Sequence, residues 1–441
     1  MRKLIVIFLP ITLVVLALLG LRWHAGQPGS SKSPDRLTAT DRRIRKAEAL
    51  MKFGSSKQYG YNLLAAAFLQ KARETGDFSF NAKAEQAVEQ SLVDAPDNFD
   101  GVVLKARVML AYHRFPEALE IARQGLGLRA ESPDALIAIS DAQVELGDYA
   151  GAVASAQRAI DLRPDTGSYS RASYLRALHG DLEGAAAAME DAVKAANPLD
   201  EESVAWCRVQ LANQLLALGR LPEAEREVDE ALRTLPSFHL ALSAKARIRA
   251  ATGDLTSAAD LYQQALDRVP LPDVALALGD VLERLGRKEE AARQYALVEF
   301  VENPSSVTNA PAITSTTYSP LLARFWSDHG DRLDDALAIA KRERAVRSDV
   351  YTCDLLAWCL LKKGQLSESK TAIDEALRLG TRDARIYHHA AMIYRAAGDR
   401  AAAARFLRQA LSVRTSFDNS AASFSALESD AVRQALASSA D

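Results

Sequence analysis

The sequence predicts an all-α protein built as a solenoid of stacked helical hairpins. Glycine recurs in short turns, and several neighbouring copies of the turn lie 33 or 34 residues apart. Alanine follows most of these glycines after five residues, and helical spacing of apolar residues resumes on both sides without a competing β-rich stretch. A period in this range is typical of stacked helical hairpins. The clearest turn glycines are Gly147, Gly219, Gly253, Gly286, Gly364 and Gly398.

Residues 133–164 show how one copy is built. Apolar side chains recur at helical spacing up to the turn, Gly147 interrupts the pattern, and periodicity resumes at Ala152 and ends before Pro164. Two short helices therefore form one hairpin. Alanine at Ala152 and Ala159 allows the second helix to cross the first closely, because a larger side chain would force the axes apart. Alanine is also the best helix former.

The copies that follow keep the same residue types at the same places. Each has alanine early in its second helix, alanine or an aromatic residue further on, and in several copies a proline after the helix. These residues are Ala224, Ala231, Pro236, Ala258, Tyr262, Ala265, Pro270, Ala291 and Tyr295. The pattern resembles the tetratricopeptide repeat (TPR) over roughly residues 60–415. The resemblance implies an α-solenoid of about ten hairpins.

Three copies depart from this pattern. In the first, an insertion near Phe78 to Asn81 delays the alanine. His113-Arg114-Phe115 stands where other copies have a glycine turn, and Ser369 stands where alanine is expected. We expect these departures to shift individual boundaries without changing the repeat assignment.

Composition agrees with a solenoid and limits the class of partner. Of the 441 residues, 48% are hydrophobic and only 7% aromatic, as expected for alanine-rich and leucine-rich helices packed on their neighbours. Because 54 basic residues stand against 57 acidic ones, the formal net charge is -3. Binding to nucleic acid needs a net basic face, so no nucleic-acid partner is expected.

The amino terminus reads as a membrane anchor. After a basic start, residues 4–21 carry no charge, and as a helix they would extend about 27 Å, close to the roughly 30 Å hydrocarbon core of a bilayer. No small-x-small cleavage site ends the run, because bulky Trp23 precedes Ala25. We therefore expect residues 1–24 to form an uncleaved transmembrane or signal-anchor helix, as in a bacterial-type membrane-anchored TPR protein. The repeats are expected to be periplasmic or otherwise extracytoplasmic.

The sequence divides into six segments by composition and repeat content. They are the amino-terminal helix (1–24), a flexible tether (25–40), a first solenoid block of about seven repeats (41–302), an irregular linker (303–320), a second block of about three repeats (321–417), and a capping helix with a tail (418–441). Prolines among serine and threonine prevent a helix from running through the linker. The linker is either an exposed loop or a hinge.

No motif in the sequence indicates catalysis. There is no G-x-S-x-G elbow, no G-x-x-x-x-G-K-S/T phosphate loop and no H-E-x-x-H pair. Cys207, Cys353 and Cys359 form no C-x-x-C pair, and no histidine stands at ligand spacing from them. We therefore expect a protein that is not an enzyme and that holds neither a metal nor a cofactor.

The resemblance also implies where a partner binds. In the TPR family the first helices of the hairpins line a concave groove that receives a peptide or a partner helix, and aromatic and arginine side chains usually anchor interfaces. The candidate partner-binding residues are Arg107, Tyr174, Trp206, Asn213, Arg247, Trp358, His388, Met392 and Arg395. For Trp206 and Trp358 the alternative is packing between hairpins, since a one-residue error in phase would turn them inward.

These observations together predict a membrane-tethered scaffold without enzymatic activity. Its groove is expected to bind a partner protein or peptide and so to organise an assembly of the cell envelope, while the amino-terminal helix contacts the membrane. Two alternatives stay open. The chain could be a structural subunit of a polysaccharide, lipid or pilus export complex, or a regulator of a membrane enzyme at the cytosolic face.

Overall fold

The computed structural model describes residues 37–53, 57–302 and 320–413. These residues form 21 helices and no strand. One helix, α1 (Ala39–Phe53), precedes ten helical hairpins. The first five hairpins are α2 (Lys57–Thr75) with α3 (Ser79–Asp94), α4 (Phe99–Ala111) with α5 (Phe115–Leu128), α6 (Pro133–Glu145) with α7 (Tyr149–Leu162), α8 (Thr166–Leu178) with α9 (Leu182–Ala195), and α10 (Glu201–Ala217) with α11 (Leu221–Thr234). The other five are α12 (His239–Ala251) with α13 (Leu255–Arg268), α14 (Pro272–Arg284) with α15 (Lys288–Glu302), α16 (Pro320–His329) with α17 (Leu333–Val346), α18 (Val350–Lys362) with α19 (Leu366–Ala376), and α20 (Ala384–Ala396) with α21 (Arg400–Ser412).

The predicted all-α solenoid is confirmed. Each helix packs on the next one along the chain, and the first helices of neighbouring hairpins also touch, so the hairpins stack side by side. The predicted amino-terminal helix (1–24), capping helix (418–441) and nearly all of the predicted linker lie outside the described residues.

The predicted membrane location with extracytoplasmic repeats is corrected by the structure. Within residues 37–53, 57–302 and 320–413, every helix is too short or too polar to span a bilayer. A spanning helix needs about 20 consecutive, predominantly apolar residues. The longest described helix, α2, has 19 residues and carries Lys57, Lys71 and Arg73. Residues 1–24, on which the prediction rested, are not among those described.

A glycine turn joins the two helices of a typical hairpin. Gly147 has a φ of 80°, in the left-handed region that favours glycine. The carboxylate of Asp148 then accepts the backbone N–H of Gly151 at 2.9 Å and caps α7. The Gly-Asp pair therefore ends one helix and begins the next. The same capping contact recurs at Asp181, Asp254 and Asp399.

The departures at His113 and Ser369 are accommodated locally. His113 adopts the left-handed conformation that glycine takes elsewhere, with a φ of 58°, at a cost of about 1–2 kcal/mol. Ser369 is fully buried where other copies have alanine, and its hydroxyl donates to the carbonyl oxygen of Ala357 on the facing helix at 2.8 Å. Because this hydrogen bond is made, the buried hydroxyl costs little.

Successive superhelical turns of the solenoid touch each other. The phenol oxygen of Tyr149 accepts the backbone N–H of Val350, 201 residues further on, at 2.9 Å. The hydroxyl of Thr381 donates to the carbonyl oxygen of Leu178, 203 residues earlier. These separations correspond to about six repeats in each superhelical turn. Turns that join the two helices of a hairpin near residues 149 and 178 therefore contact loops that join successive hairpins near residues 350 and 381.

This stacking contact is both apolar and close. Val350 is fully buried in one cluster with Tyr149 and Leu178. A Cβ atom added to Gly180 would lie 2.6 Å from the carbonyl oxygen of Gly380, too close for any side chain. Gly180 therefore serves the turn between α8 and α9 and the stacking contact at once.

The amino-terminal end of the described coil is also tied to a later hairpin. Arg43 of α1 pairs with Asp200 at 2.7 Å, and Gln70 of α2 donates to Glu202 of α10 at 3.0 Å. Both contacts join residues more than a hundred positions apart, so α1 and α2 are fixed against α10.

We expect Ala265→Phe to destabilise the solenoid. Ala265 of α13 is fully buried in one cluster with Ala246 of α12, so a larger side chain overpacks the hairpin at a cost of about 1–3 kcal/mol in the free energy of unfolding. The loss should reach mainly the adjacent hairpins, because solenoids couple through neighbours. Urea denaturation measures it. Ala187→Phe, at an exposed position of α9, is the matched control, and equal effects of the two substitutions would count against this register.

Gly180→Ala should destabilise the protein more than Gly253→Ala. The φ angles are 78° and 86°, so both substitutions put alanine in the left-handed region at about 1–2 kcal/mol. Only Gly180 lies against another superhelical turn, whereas a Cβ at Gly253 meets nothing within 4 Å. We expect an additional loss of about 1–3 kcal/mol for Gly180→Ala, measured by urea unfolding. Equal losses would mean that the two turns do not touch.

Candidate functional site

Two adjoining cavities lie inside the coil. The larger has a volume of about 640 Å³ and is lined mainly by α10, α12, α14 and α16, the first helices of four successive hairpins. The smaller, of about 260 Å³, is lined mainly by α16 and α18, with contributions from α6, α8 and α20. Leu321, Arg324 and Arg385 line both cavities. We call the two cavities together the inner channel.

Four of the predicted binding residues line the inner channel. Asn213 and Arg247 lie in the wall of the larger cavity, and Tyr174 and Trp358 lie in the wall of the smaller one. The Arg247 guanidinium donates from Nη2 to the Asn213 amide oxygen at 2.7 Å. The first helices of the hairpins thus bring these side chains to the inside of the coil, where the resemblance had led us to expect them.

Trp358 combines the two roles considered for it from the sequence. Its indole is 7% exposed, and Nε1 donates to the Asp328 carboxylate at 2.8 Å. The ring stacks on His389 of the following hairpin, with the ring centroids 4.1 Å apart. His389 in turn bonds through Nδ1 to Asp354 at 2.9 Å. Trp358 therefore packs between hairpins while it forms part of the channel wall.

The other five predicted residues line neither cavity. Trp206 is half-buried against the apolar cluster of α9 to α12, so it packs between neighbouring hairpins. Met392 is half-buried against the cluster of the last hairpins. Arg395 and Arg107 are exposed, and His388 is buried.

His388 lies in the packed interior of the last hairpins. It is 2% exposed, and neither ring nitrogen has a hydrogen-bond partner in the described part of the chain. Burial lowers the pKa of His388 to about 3, and the nearby His389, Lys362 and Arg395 act in the same direction. The imidazole is therefore neutral at physiological pH.

Arg107 belongs to a charged group on the inside of the first superhelical turn. Its neighbours are Asp141 and Arg171, which form an ion pair with each other. Enclosure by the surrounding protein lowers the pKa of Arg107 and raises the pKa of Asp141, the latter against the attraction of Arg171. The Arg171 and Asp141 side chains are 31% and 26% exposed, so water still screens part of the attraction between their charges.

Two phenols present hydrogen-bonding groups to the smaller cavity. Tyr174 is 37% exposed and Tyr351 is 43% exposed. Enclosure by protein raises the pKa of both phenols, so both stay neutral and can donate as well as accept. Neither hydroxyl is hydrogen-bonded to another described residue. They are therefore available to a polar ligand such as a peptide backbone.

Metal and thiol chemistry receive no support from the described residues. No group of three or more His, Cys, Asp or Glu side chains among them is placed to bind a metal ion. The three cysteines are buried, and burial raises the pKa of Cys207 and of Cys359 to about 12. Thiols in this state are poor nucleophiles.

The channel residues of α20 differ from the predicted ones by helical phase. Arg385 and His389 line the channel, whereas the predicted residues of this helix were His388, Met392 and Arg395. The two sets lie on neighbouring faces of one helix, because a shift of one residue rotates a side chain by about 100°. The glycine turn shows where the helix ends, but it does not determine which side chains of the helix face the channel.

The contribution of α16 was not predicted at all. Leu321, Arg324 and Asp328 line the larger cavity, yet α16 follows the proline-containing segment in which the glycine and alanine period is interrupted. The spacing of four residues between Arg324 and Asp328 marks one helix face and was the signal available. Without a turn glycine to set the phase, this signal does not identify the inner face.

Family models of the tetratricopeptide repeat match residues 137–201, 209–271, 244–306 and 384–416. This chain is a tetratricopeptide repeat protein. The matched segments include most helices of both channel walls. In this TPR protein the repeats form the kind of scaffold that commonly binds other proteins.

The comparisons with individual proteins are weaker. Protein FlbA of Caulobacter vibrioides is 27% identical over 191 residues, which cover 42% of this chain and 32% of FlbA. This chain therefore spans about a third of the length of that curated relative. A human IFIT1 dimer with m7Gppp-AAAA is 16% identical, covers 76% of this chain and 77% of the IFIT1 chain, and has a TM-score of 0.47. YrrB, described as a TPR protein with an unusual peptide-binding site, is 15% identical to this chain and has a TM-score of 0.31. The match covers 45% of this chain and 98% of the YrrB chain.

Glu145 joins the channel to the stacking contact. Its side chain lines the smaller cavity and pairs with Arg347 at 3.4 Å, and its backbone carbonyl accepts the N–H of Ser348 at 2.8 Å. Burial raises the pKa of Glu145 to about 7, against the opposing effect of Arg347, and the nearby Asp349 adds to the rise.

We expect Glu145→Gln to flatten the pH dependence of stability. Because the pKa of Glu145 rises on folding from 4.5 to about 7, folding takes up a proton, and stability falls as pH increases between these values. Glutamine cannot titrate, so the variant should lose less stability than the natural chain between about pH 5 and pH 8. Urea unfolding at both pH values measures this. Glu183→Gln, exposed on α9, is the control, and a pH profile for Glu145→Gln identical to that of the natural chain would contradict the assignment.

Proposed function

We propose that this TPR protein is a non-enzymatic scaffold that binds an extended peptide segment of a partner protein in its inner channel. The observation that carries the proposal is the lining of that channel. Phenols, an indole and arginines from the first helices of successive hairpins converge on two adjoining cavities. Tyrosine, tryptophan and arginine are the residues that most often supply the binding energy of protein interfaces.

The two cavities adjoin, and their volumes are about 640 and 260 Å³. An extended chain advances about 3.3 Å per residue and can pass from one cavity to the other.

The charges of the channel favour a peptide over a nucleic acid. The larger cavity carries four carboxylates and three guanidinium groups. They are Asp273, Asp280, Asp328 and Glu302, with Arg247, Arg324 and Arg385. A nucleic acid is held chiefly by lysine and arginine against its phosphates, and this lining offers no excess of positive charge.

The arrangement around His389 supports the absence of catalysis. Its Nδ1 bonds to Asp354 at 2.9 Å, as in a catalytic pair. The described lining of this cavity includes one aliphatic hydroxyl, that of Thr352. This hydroxyl donates to Asp349 and not to His389. His389 and the Thr352 hydroxyl are therefore not hydrogen-bonded to each other as a base and a nucleophile would be.

Photo-cross-linking from within the channel tests the proposal. A photoreactive phenylalanine analogue replaces Tyr174 in one variant and Tyr59 in another, since Tyr59 is 52% exposed and lines neither cavity. We expect one partner segment to cross-link at position 174 and not at position 59. The recovered segment is then synthesised, and its Kd is measured for Tyr174→Ala and for Tyr59→Ala.

Tyr174→Ala should raise that Kd about tenfold, because truncating a central aromatic contact typically costs more than 1 kcal/mol of binding energy. Tyr59→Ala should leave the Kd unchanged. Equal cross-linking at both positions would contradict the assignment of the channel as the binding site. A Kd for Tyr174→Ala equal to that of the natural chain would contradict it as well.

A further inference from the structure

Phe78 is exposed at a position where other hairpins cover their apolar side chain. The position is the second residue after the turn glycine, and after Gly76 it is Phe78, which is 66% exposed. In five other hairpins of the described chain the apolar side chain at this position is buried or half-buried. These side chains are Tyr149, Leu182, Leu221, Leu255 and Leu366. Because contact between water and an apolar ring is unfavourable, a ring kept exposed beside a cavity indicates a surface that a ligand covers.

The inserted turn of the first hairpin explains this exposure. In the third hairpin the equivalent residue, Tyr149, is the first residue of α7 and packs into a buried cluster. In the first hairpin the Asp77 carboxylate accepts the backbone N–H of Ser79 at 3.0 Å, and α3 begins at Ser79 with Phe78 in front of it. The ring of Phe78 therefore extends from the turn instead of packing within its own hairpin.

The turn that carries Phe78 touches the next superhelical turn of the coil. A Cβ atom added to Gly76 would clash with Val269 and lie 3.3 Å from Cδ2 of Leu271. Both residues belong to the loop between α13 and α14, about six repeats further along the chain. Phe78 lines the larger cavity. One superhelical turn therefore contributes an aromatic side chain to a cavity that the other turn mainly builds.

The larger cavity is apolar at the edge where Phe78 enters it. Leu240 near the beginning of α12, and Leu271 and Pro272 at the beginning of α14, line this cavity and are half-buried. First helices of successive hairpins run in the same direction, so the beginnings of α12 and α14 lie at one edge, which the Gly76 turn touches. Asp273 lies at the same edge, and its charge disfavours an acidic side chain there.

We propose that Phe78, Leu240, Leu271 and Pro272 form a pocket for one large apolar side chain of the bound peptide, such as leucine. This inference rests on the proposed function. The pocket opens into the larger cavity, so its occupant belongs to the same segment that lies in the inner channel. A leucine in this pocket covers the exposed phenyl ring and contacts both superhelical turns at once, and the apolar area removed from water favours binding.

Selection from peptide libraries tests the proposal. The probes are octapeptides, acetylated at the amino end and amidated at the carboxyl end, in which one position is fixed as Leu, Ser or Lys. The remaining positions vary among small and polar residues, so that the fixed position alone can supply a large apolar side chain. Retention of each library on the purified full chain is measured by mass spectrometry.

We expect the Leu library to be enriched about fivefold or more over the Ser library, because burial of a leucine side chain is favourable in proportion to its apolar area. Preference for Lys, or no preference, overturns the inference while leaving peptide binding intact. If no library is retained, the proposed function fails and this inference fails with it.

Three variants show whether Phe78 itself selects the apolar side chain. Phe78→Ser should abolish the leucine preference without reducing retention of the Ser library, and Phe78→Leu should keep most of the preference. Leu199→Ser is the control, because Leu199 is 81% exposed and lines neither cavity. Unchanged leucine preference in Phe78→Ser, with the chain folded by circular dichroism, would overturn the assignment.

Cross-linking from position 78 identifies what covers the pocket. A photoreactive phenylalanine analogue at this position should cross-link to the peptides of the Leu library. A cross-link to a second copy of the chain, or to another segment of the same chain, that persists with the Leu library in excess would mean that the protein covers the pocket itself. Either result would overturn the inference.

Discussion

The inner channel depends on the contact between successive superhelical turns of the solenoid. A stack of helical hairpins forms an open groove unless something holds one turn of the coil against the next. Here the glycine turn at Gly180 approaches the backbone at Gly380 so closely that no side chain fits between them, while Tyr149 and Val350 share one buried cluster. A Cβ atom added to Gly147 would likewise lie 2.9 Å from the carbonyl oxygen of Ser348, so the absence of side chains at these two turns lets the coil close.

This closure links local packing to the lining of the inner channel. The same alanine and glycine positions that let two helices cross also keep each hairpin thin, so about six of them complete one superhelical turn. The first helices then face inward and bring aromatic and arginine side chains to adjoining cavities. Enclosure shifts the pKa of Glu145, Asp141 and Tyr174 in the direction of their neutral forms. The channel is thus a place where single charges act strongly.

The fold could be predicted from the sequence because its signals are local. Gly147 with Asp148 and the buried Ala152 fall within one hairpin, and the same spacing recurs along the chain. The stacking contact could not be predicted, because Tyr149 and Val350 are 201 residues apart and no local pattern relates them. The residues that line the inner channel fall between these cases. Asn213 and Arg247 were predicted from repeat phase, whereas Arg385 and Arg324 were missed because the phase drifts where the glycine period is weak or interrupted.

Hydrogen exchange of the backbone amides of Ser348 and Val350 tests the closed coil most directly. Both amides precede or begin α18 and have no partner within that helix, and both donate instead to the preceding superhelical turn, Ser348 to the Glu145 carbonyl and Val350 to the Tyr149 phenol. A closed coil predicts that both amides exchange as slowly as those in the middle of α18. Exchange at the rate of an unprotected amide would mean that the turns are apart and that the inner channel is an open groove.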